Sequence, residues 1–184
     1  MAKLILLNGP PGIGKSTLAQ KYVDTHPFAL NLDIDLVRSL LGNWADHQQA
    51  SGTQARRLAI SMAREHLTTG YDVIVPQFLG RLPFISALVT LATETNSDFY
   101  EFVLLDSKEN ARDRFLRKEE VPGARFNSRA LVEQNGGMAI LAEQYDRLIK
   151  VIAARPTACV LKSQEGNIEG TYKEILQHLA VVPR

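Results

Sequence analysis

Cysteine is almost missing from this chain: of 184 residues, Cys159 is the one thiol. No intrachain disulfide can form, and a reducing compartment, the cytoplasm, is the expectation. An excess of one charge is missing too. Twenty-one Lys and Arg face twenty Asp and Glu, a formal net charge of +1, so no global field draws the chain to nucleic acid or to an anionic membrane, although local patches stay open. No apolar run approaches the roughly 18 residues of a membrane span. The opening "MAKLILLNGPPG" holds an apolar stretch too short for a signal sequence and lacks a small-residue cleavage site. His26, His66 and His178 show no metal spacing, and neither a Cys–His cluster nor a Ser–His–Asp arrangement stands out. Low-complexity tracts and internal repeats are absent, so disorder is not the default reading.

What is present is an ordinary globular composition, 45% hydrophobic and 22% charged, in a length that suits one domain with a sizeable core. Short β-rich runs alternate with longer helical patterns. The expected strands are 3–8 ("KLILLN"), 28–33 ("FALNLD"), 72–77 ("DVIVPQ"), 99–106 ("FYEFVLLD") and 158–162 ("ACVLK"). Helical patterns fall near 15–25, 34–42, 51–69, 83–95, 107–118, 128–153 and 168–180, with Ser107 a cap and Gly136-Gly137 a break or bend. This alternation predicts a three-layer α/β/α sandwich around a five-stranded parallel sheet, with ligands outside the carboxyl ends of the strands. Asn8, Asp33, Asp35, Gln77 and Asp106 fall at those ends. Residues 1–184 are expected to form a single domain, in which the polar stretch 118–128 ("KEEVPGARFNS") reads as a mobile lid.

After the first expected strand comes "GPPGIGKST", which satisfies G-x-x-x-x-G-K-[ST] between a strand and a helix. Gly12 and Gly14 permit dihedrals and close approach that side chains would block. The loop's N–H groups then converge on phosphate oxygens at a helix N-terminus, where the dipole favours anions. Lys15 can reach β- and γ-phosphates, and the Ser16 hydroxyl suits Mg²⁺. Gly9, Gly12, Ile13, Gly14, Lys15, Ser16 and Thr17 are therefore the candidate nucleotide-binding residues, with ATP and Mg²⁺ the expected cofactors. The fold class is thereby that of a P-loop NTPase.

Motor and switch ATPases usually end an apolar strand in a metal-holding aspartate. Here "VIVPQFLG" puts Pro76 and Gln77 at that place. Two carboxylates and an arginine appear instead in "LDIDLVR", as Asp33, Asp35 and Arg38. With "GPPGIGKSTLA" before it, this stretch resembles the small P-loop kinase group that includes shikimate and gluconate kinases, chloramphenicol phosphotransferase and the kinase domain of polynucleotide kinase. The polynucleotide-kinase likeness implies that Asp35 accepts the proton of the attacking hydroxyl and that Arg38 binds an acceptor phosphate. The shikimate-kinase likeness implies that Asp33 supports the Mg²⁺ shell while Asp35 holds the acceptor hydroxyl. Residues 1–40 carry this resemblance, with the lid following in outline; the substrate region 43–100 takes no part in it.

Independently of any family, phosphoryl transfer needs positioning, charge neutralisation and an acceptor for a proton. Asp33 and Asp35 share a face if the strand runs that far. If a helix starts at Ile34, Asp33 is a cap and Asp35 a first-turn acid favoured by the dipole. An arginine one turn on is expected to keep Asp35 ionised.

Between 108 and 129, seven basic residues face four acidic ones. The kinase likeness implies that such a segment closes over ATP, with Arg114 and Arg117 matching the "R-x-x-R" before the lid and Arg125 as the mobile finger. Arginine can stack on bases and fork to phosphates; a solvated helix face with pairs such as Asp113–Arg117 would read the same way. Weaker candidates are "SQEGN" (163–167) beside the adenine, Arg81 facing the acceptor, and Trp44 with His47 as an acceptor wall or as plain packing. The expectation is a kinase that moves the γ-phosphoryl group of ATP to a hydroxyl of a small acceptor, with catalytic residues Lys15, Asp35 and Arg38 and metal residues Ser16 and Asp33. A polynucleotide 5′-hydroxyl kinase and a nucleotide-binding regulatory ATPase stay open beside it, with nucleic acid not favoured and no membrane partner.

Overall fold

The computed structural model describes residues 1–117 and 128–180. Arg125 and the expected lid, apart from Ser128, lie outside the described residues. The amino-terminal part runs β1 (Lys3–Asn8), α1 (Lys15–Thr25), β2 (Leu30–Asn31), α2 (Ile34–Ser39) and α3 (Gln48–Thr68). There follow β3 (Val73–Pro76), α4 (Leu82–Glu94), β4 (Asp98–Leu105) and α5 (Lys108–Arg117). After residue 127 come α6 (Ser128–Gln134), α7 (Met138–Ala153), β5 (Cys159–Lys162) and α8 (Ile168–Ala180).

The five strands form one parallel sheet in the order β2-β3-β1-β4-β5. The central strand is apolar on both faces because helices cover both, as parallel sheets require. Successive side chains alternate between faces. Leu4 and Leu6 pack with Val73, Val75 and the inner sides of α3, α4 and α7. Ile5 and Leu7 pack with Leu18 and Tyr22 of α1 and Tyr172 and Ile175 of α8. All four are fully buried, each contributing about 1.5–3 kcal/mol relative to exposure. Truncating Leu6 to Ala would cost roughly 2–5 kcal/mol. Helix α3 lies close to the sheet because Ser51, Ala55, Ala59 and Ala63 recur every fourth residue on its buried side. Pro83 sits in the first turn of α4, where its missing N–H costs no hydrogen bond.

Two expectations about elements meet different outcomes. The long helical pattern 128–153 does divide at Gly136-Gly137 into α6 and α7. The second strand does not span 28–33: at the sheet edge only β3 is there to pair with it, and pairing covers Leu30 and Asn31. Helix α2 starts at Ile34, so Asp33 and Asp35 do not share a strand face. Among the described residues, no helix is long and apolar enough to cross a membrane. The loops after β1, β2, β3 and β4 all open at the carboxyl edge of the sheet, where a doubly wound fold holds its ligands.

Candidate functional site

The loop between β1 and α1 is backed by α5. A Cβ on Gly12 (φ 79°) would stand 2.8 Å from the backbone of Phe115, so a side chain there would push the loop off its support. Gly14 adopts φ 104° as the residue before α1, a left-handed conformation that turns the loop into the helix. Lys15 opens α1, and Ser16 and Thr17 are exposed in its first turn. The Lys15 ammonium donates to the carbonyls of Gly9 and Pro10, both at 2.9 Å. It is buried rather than held out in solvent, because these carbonyls satisfy its charge. Gly9 is held in turn by Asn8, whose Oδ1 accepts from the Gly9 and Leu79 N–H groups and whose Nδ2 donates to the Leu79 carbonyl. One fully buried amide thus ties the loop to the segment after β3.

Beside this cradle lies the start of α2. Asp33 Oδ1 accepts from the N–H groups of Asp35 (2.9 Å) and Leu36 (3.3 Å), the pattern of an N-cap. Asp35 is half-buried and turns toward the end of β3, where Gln77 Nε2 donates to its Oδ2 at 3.2 Å. Burial pushes the Asp35 carboxyl above the usual carboxylate range, and the Asp33 charge pushes the same way. Gln77, Arg38 and Lys15 oppose the shift without cancelling it. Arg38 does favour the ionised carboxylate, as a cation one turn on should, but burial outweighs it. Arg38 is itself buried and turned to α3: Nε donates to Ser51 Oγ at 3.0 Å and Nη2 to the Gln48 carbonyl at 2.7 Å. Its guanidinium lies 5.1 Å from the Trp44 ring centre. This geometry makes Arg38 and Trp44 a brace between α2 and α3.

Across the cradle, Arg114 is engaged behind the loop. Nη2 donates to the Ile13 carbonyl (2.9 Å) and Nη1 to the Ser163 carbonyl (2.7 Å), while Asp106 lies 3.6 Å away. Ser163 Oγ also donates to Ile13 O. Arg114 therefore ties the loop to the exit of β5, and its buried position removes it from any stacking on a base. Arg117, one turn on, is exposed and pairs with Glu165 in the 163–167 segment at 2.7 Å. Of these two α5 arginines, Arg117 is the one left facing outward.

Residues 4–140 match the family model described as "AAA domain". The chain belongs to that family. Among solved structures, this AAA-domain protein is similar to a gluconokinase from Sinorhizobium meliloti, at 13% identity and a TM-score of 0.61, over 97% of this chain and 91% of that one. It is similar to the APS kinase of Mycobacterium tuberculosis at 16% identity and a TM-score of 0.57, over 97% of each chain. The tunicamycin resistance protein of Deinococcus radiodurans aligns over 100% of both chains at 9% identity and a TM-score of 0.61. No curated protein matches the sequence. At such identities the likeness carries the fold alone: a P-loop kinase-like architecture with five parallel strands and helices on both faces.

For an AAA-domain chain of this fold, Mg²⁺ is the implied ion, and the donors suit it. Among the described residues no group of three or more His, Cys, Asp or Glu is gathered for a metal. Mg²⁺ in phosphate sites needs only one or two carboxylates, with water and substrate oxygens completing its octahedron. The Ser16 hydroxyl, the carboxylates at the start of α2 and the Gln77 Oε1, buried without a hydrogen-bond partner, are hard oxygen donors of that type. Sequence reasoning placed Gln77 and Asn8 at strand ends but missed their roles. The signal was position alone, since the pairing of Gln77 with Asp35 crosses 42 residues of chain.

Proposed function

We propose that this chain is a single-domain kinase that transfers the γ-phosphoryl group of ATP to a hydroxyl of a small acceptor in the cytoplasm. The observation that carries this reading is Asp35. It is a half-buried carboxyl with a raised pKa, near enough to Lys15 to feel its charge, and a neutral amide is its direct partner. A poised base beside a phosphate cradle is what phosphoryl transfer to an alcohol requires.

In this reading the loop N–H groups and Lys15 bind the β- and γ-phosphates, and Ser16 with Asp33 supports the ion. Mg²⁺, when bound, neutralises charge on the phosphate oxygens. Gln77 fixes the orientation of Asp35, which takes the proton as the acceptor oxygen bonds to the γ-phosphorus. The bond from that phosphorus to the β–γ bridging oxygen breaks, and ADP leaves. Arg117 and the 163–167 segment border the base, and Arg114 holds the cradle; Arg125 keeps its proposed role at the nucleotide but lies outside the described residues.

The polynucleotide reading is the less favoured because it drew on Arg38, whose Nε and Nη2 donate to α3. ADP release measured across small alcohols tests the proposal and separates it from a regulatory ATPase. Acceptor-dependent release is expected in the wild type, and Lys15→Ala should lower it by about 10²-fold or more. Undiminished turnover in folded Lys15→Ala would remove the nucleotide assignment.

A further inference from the structure

The segment that continues from Gln77 opens into a cavity of about 420 Å³ at the carboxyl edge of the sheet. Three arginines from different elements border it: Arg56 from α3, Arg81 just before α4, and Arg147 from α7. Phe78 and Phe84 supply apolar wall. Among the described residues, no acidic one lines it. Arg147 is paired with Glu143 on its own helix. Arg56 and Arg81 are exposed and have no carboxylate partner among the described residues; Arg56 Nη1 donates to the Gly52 carbonyl at 3.3 Å.

Its place ties this cavity to the transfer site. Phe78 directly follows Gln77, the residue that donates to Asp35, and the Arg56 charge acts on Arg38. Guanidinium groups fork to carboxylate and phosphate oxygens, and charge-assisted contacts of that type are about twice as strong as neutral ones. A concave site in the common range of small-ligand pockets, with positive charge at its border and aromatic rings in its wall, matches a flat or apolar body bearing an anion. A cationic acceptor would meet like charge there.

We infer that the acceptor is a small anionic alcohol, whose carboxylate or phosphate is held by Arg56, Arg81 and Arg147 while its hydroxyl is turned to Asp35. This rests on the kinase reading above.

Two measurements on the full chain keep the readings apart. In the first, calorimetry follows binding of phenyl phosphate, benzoate and benzyl alcohol. The charged probes should bind and the alcohol should not, and the stronger of the two charged probes tells phosphate from carboxylate. Arg81→Gln and Arg56→Gln should each weaken the charged probes by about tenfold or more, with partial recovery in Arg81→Lys. In the second, ADP release is compared between hydroxy acids or alcohol phosphates and their neutral esters or unphosphorylated partners. The charged member should have the higher kcat/KM, and the Gln variants should raise its KM while kcat holds.

If the charged probes bind through these arginines but no alcohol of either kind releases ADP, the transfer reading falls and the anion cavity stands. If neutral alcohols are phosphorylated as well as charged ones, or the Gln variants leave KM unchanged, the inference is overturned and the kinase survives. Preferential transfer to an oligonucleotide 5′-hydroxyl over every small anion overturns it as well.

Discussion

Asp35 and Asp106 both follow carboxyl ends of parallel strands, on opposite sides of the phosphate cradle, yet their environments differ in kind. Asp106 works against burial with several donors. Its Oδ1 accepts from the Ser107 N–H and the Asn110 amide, both at 2.8 Å, and Arg114 stands beside its other oxygen. These partners outweigh burial and hold the Asp106 carboxyl below the usual carboxylate range. Asp35 has a neutral amide as its direct partner and a second carboxylate beside it, so burial prevails and its carboxyl rises. A well-supplied acid serves as a fixed anchor. An under-supplied acid keeps an appetite for a proton, which a base needs and an anchor does not.

The sharpest test of that contrast is Asp35→Asn. Transfer should fall by about 10²–10⁴-fold, the range of a positioned base, with ATP affinity held. Stability should move the other way. A carboxyl whose folded pKa is raised contributes stability below its unfolded value, near 3.9, and loses it as pH rises through the folded one. The cost of the raised pKa builds as pH climbs above the unfolded value, so Asp35→Asn should raise Tm at pH 7, with the gain gone below about pH 4. A Tm that drops at pH 7 would place Asp35 among the anchors.

The opposite outcome is expected on the other side. Arg114→Met removes a buried cation from Asp106 and one guanidinium donor from each of the Ile13 and Ser163 carbonyls, at a cost of about 3–5 kcal/mol read by denaturant unfolding. A loss near zero would show that the loop does not depend on this tie. Asp106→Asn is milder, about 1–2 kcal/mol. The folded pKa of Asp106 is depressed, so its contribution is present above the unfolded value and is lost as pH falls through the folded one. The gap in Tm between wild type and Asp106→Asn should therefore close toward low pH.

Asp33→Asn should give the smallest change in stability. Asparagine caps helices as well as aspartate, so α2 persists. With one like charge removed, the Asp35 pKa falls, and the acid limb of the kcat profile should shift to lower pH. An unmoved limb would mean that the two aspartates are not electrostatically joined.

Much of this architecture is legible in the sequence, because the period of the apolar runs and the glycine–lysine spacing are local properties. Strand β1, the cradle and the break at Gly136-Gly137 follow from adjacent residues alone. The length of β2 does not, since it depends on how far β3 reaches along the sheet edge. The role of Arg38 was hidden for a similar reason. The path of residues 40–47 brings Gln48 and Ser51 to its guanidinium, and nothing in "DLVR" encodes that return. Arg114 shows the limit of reasoning from a spaced pair: the "R-x-x-R" pattern is real, but one arginine is buried behind the loop and the other points outward.

The shortness of β2 has a consequence for the behaviour of the chain in a crowded solution. Open sheet edges are templates on which foreign strands assemble, and long flat ones seed aggregates. Here one edge offers two residues of ladder before Asp33 turns the backbone into a helix. The other edge, β5, spans four residues and ends in an exposed lysine. The cap that introduces Asp35 to the site therefore also denies a stray strand the length it would need to dock, and the protein should resist edge-to-edge association at high concentration.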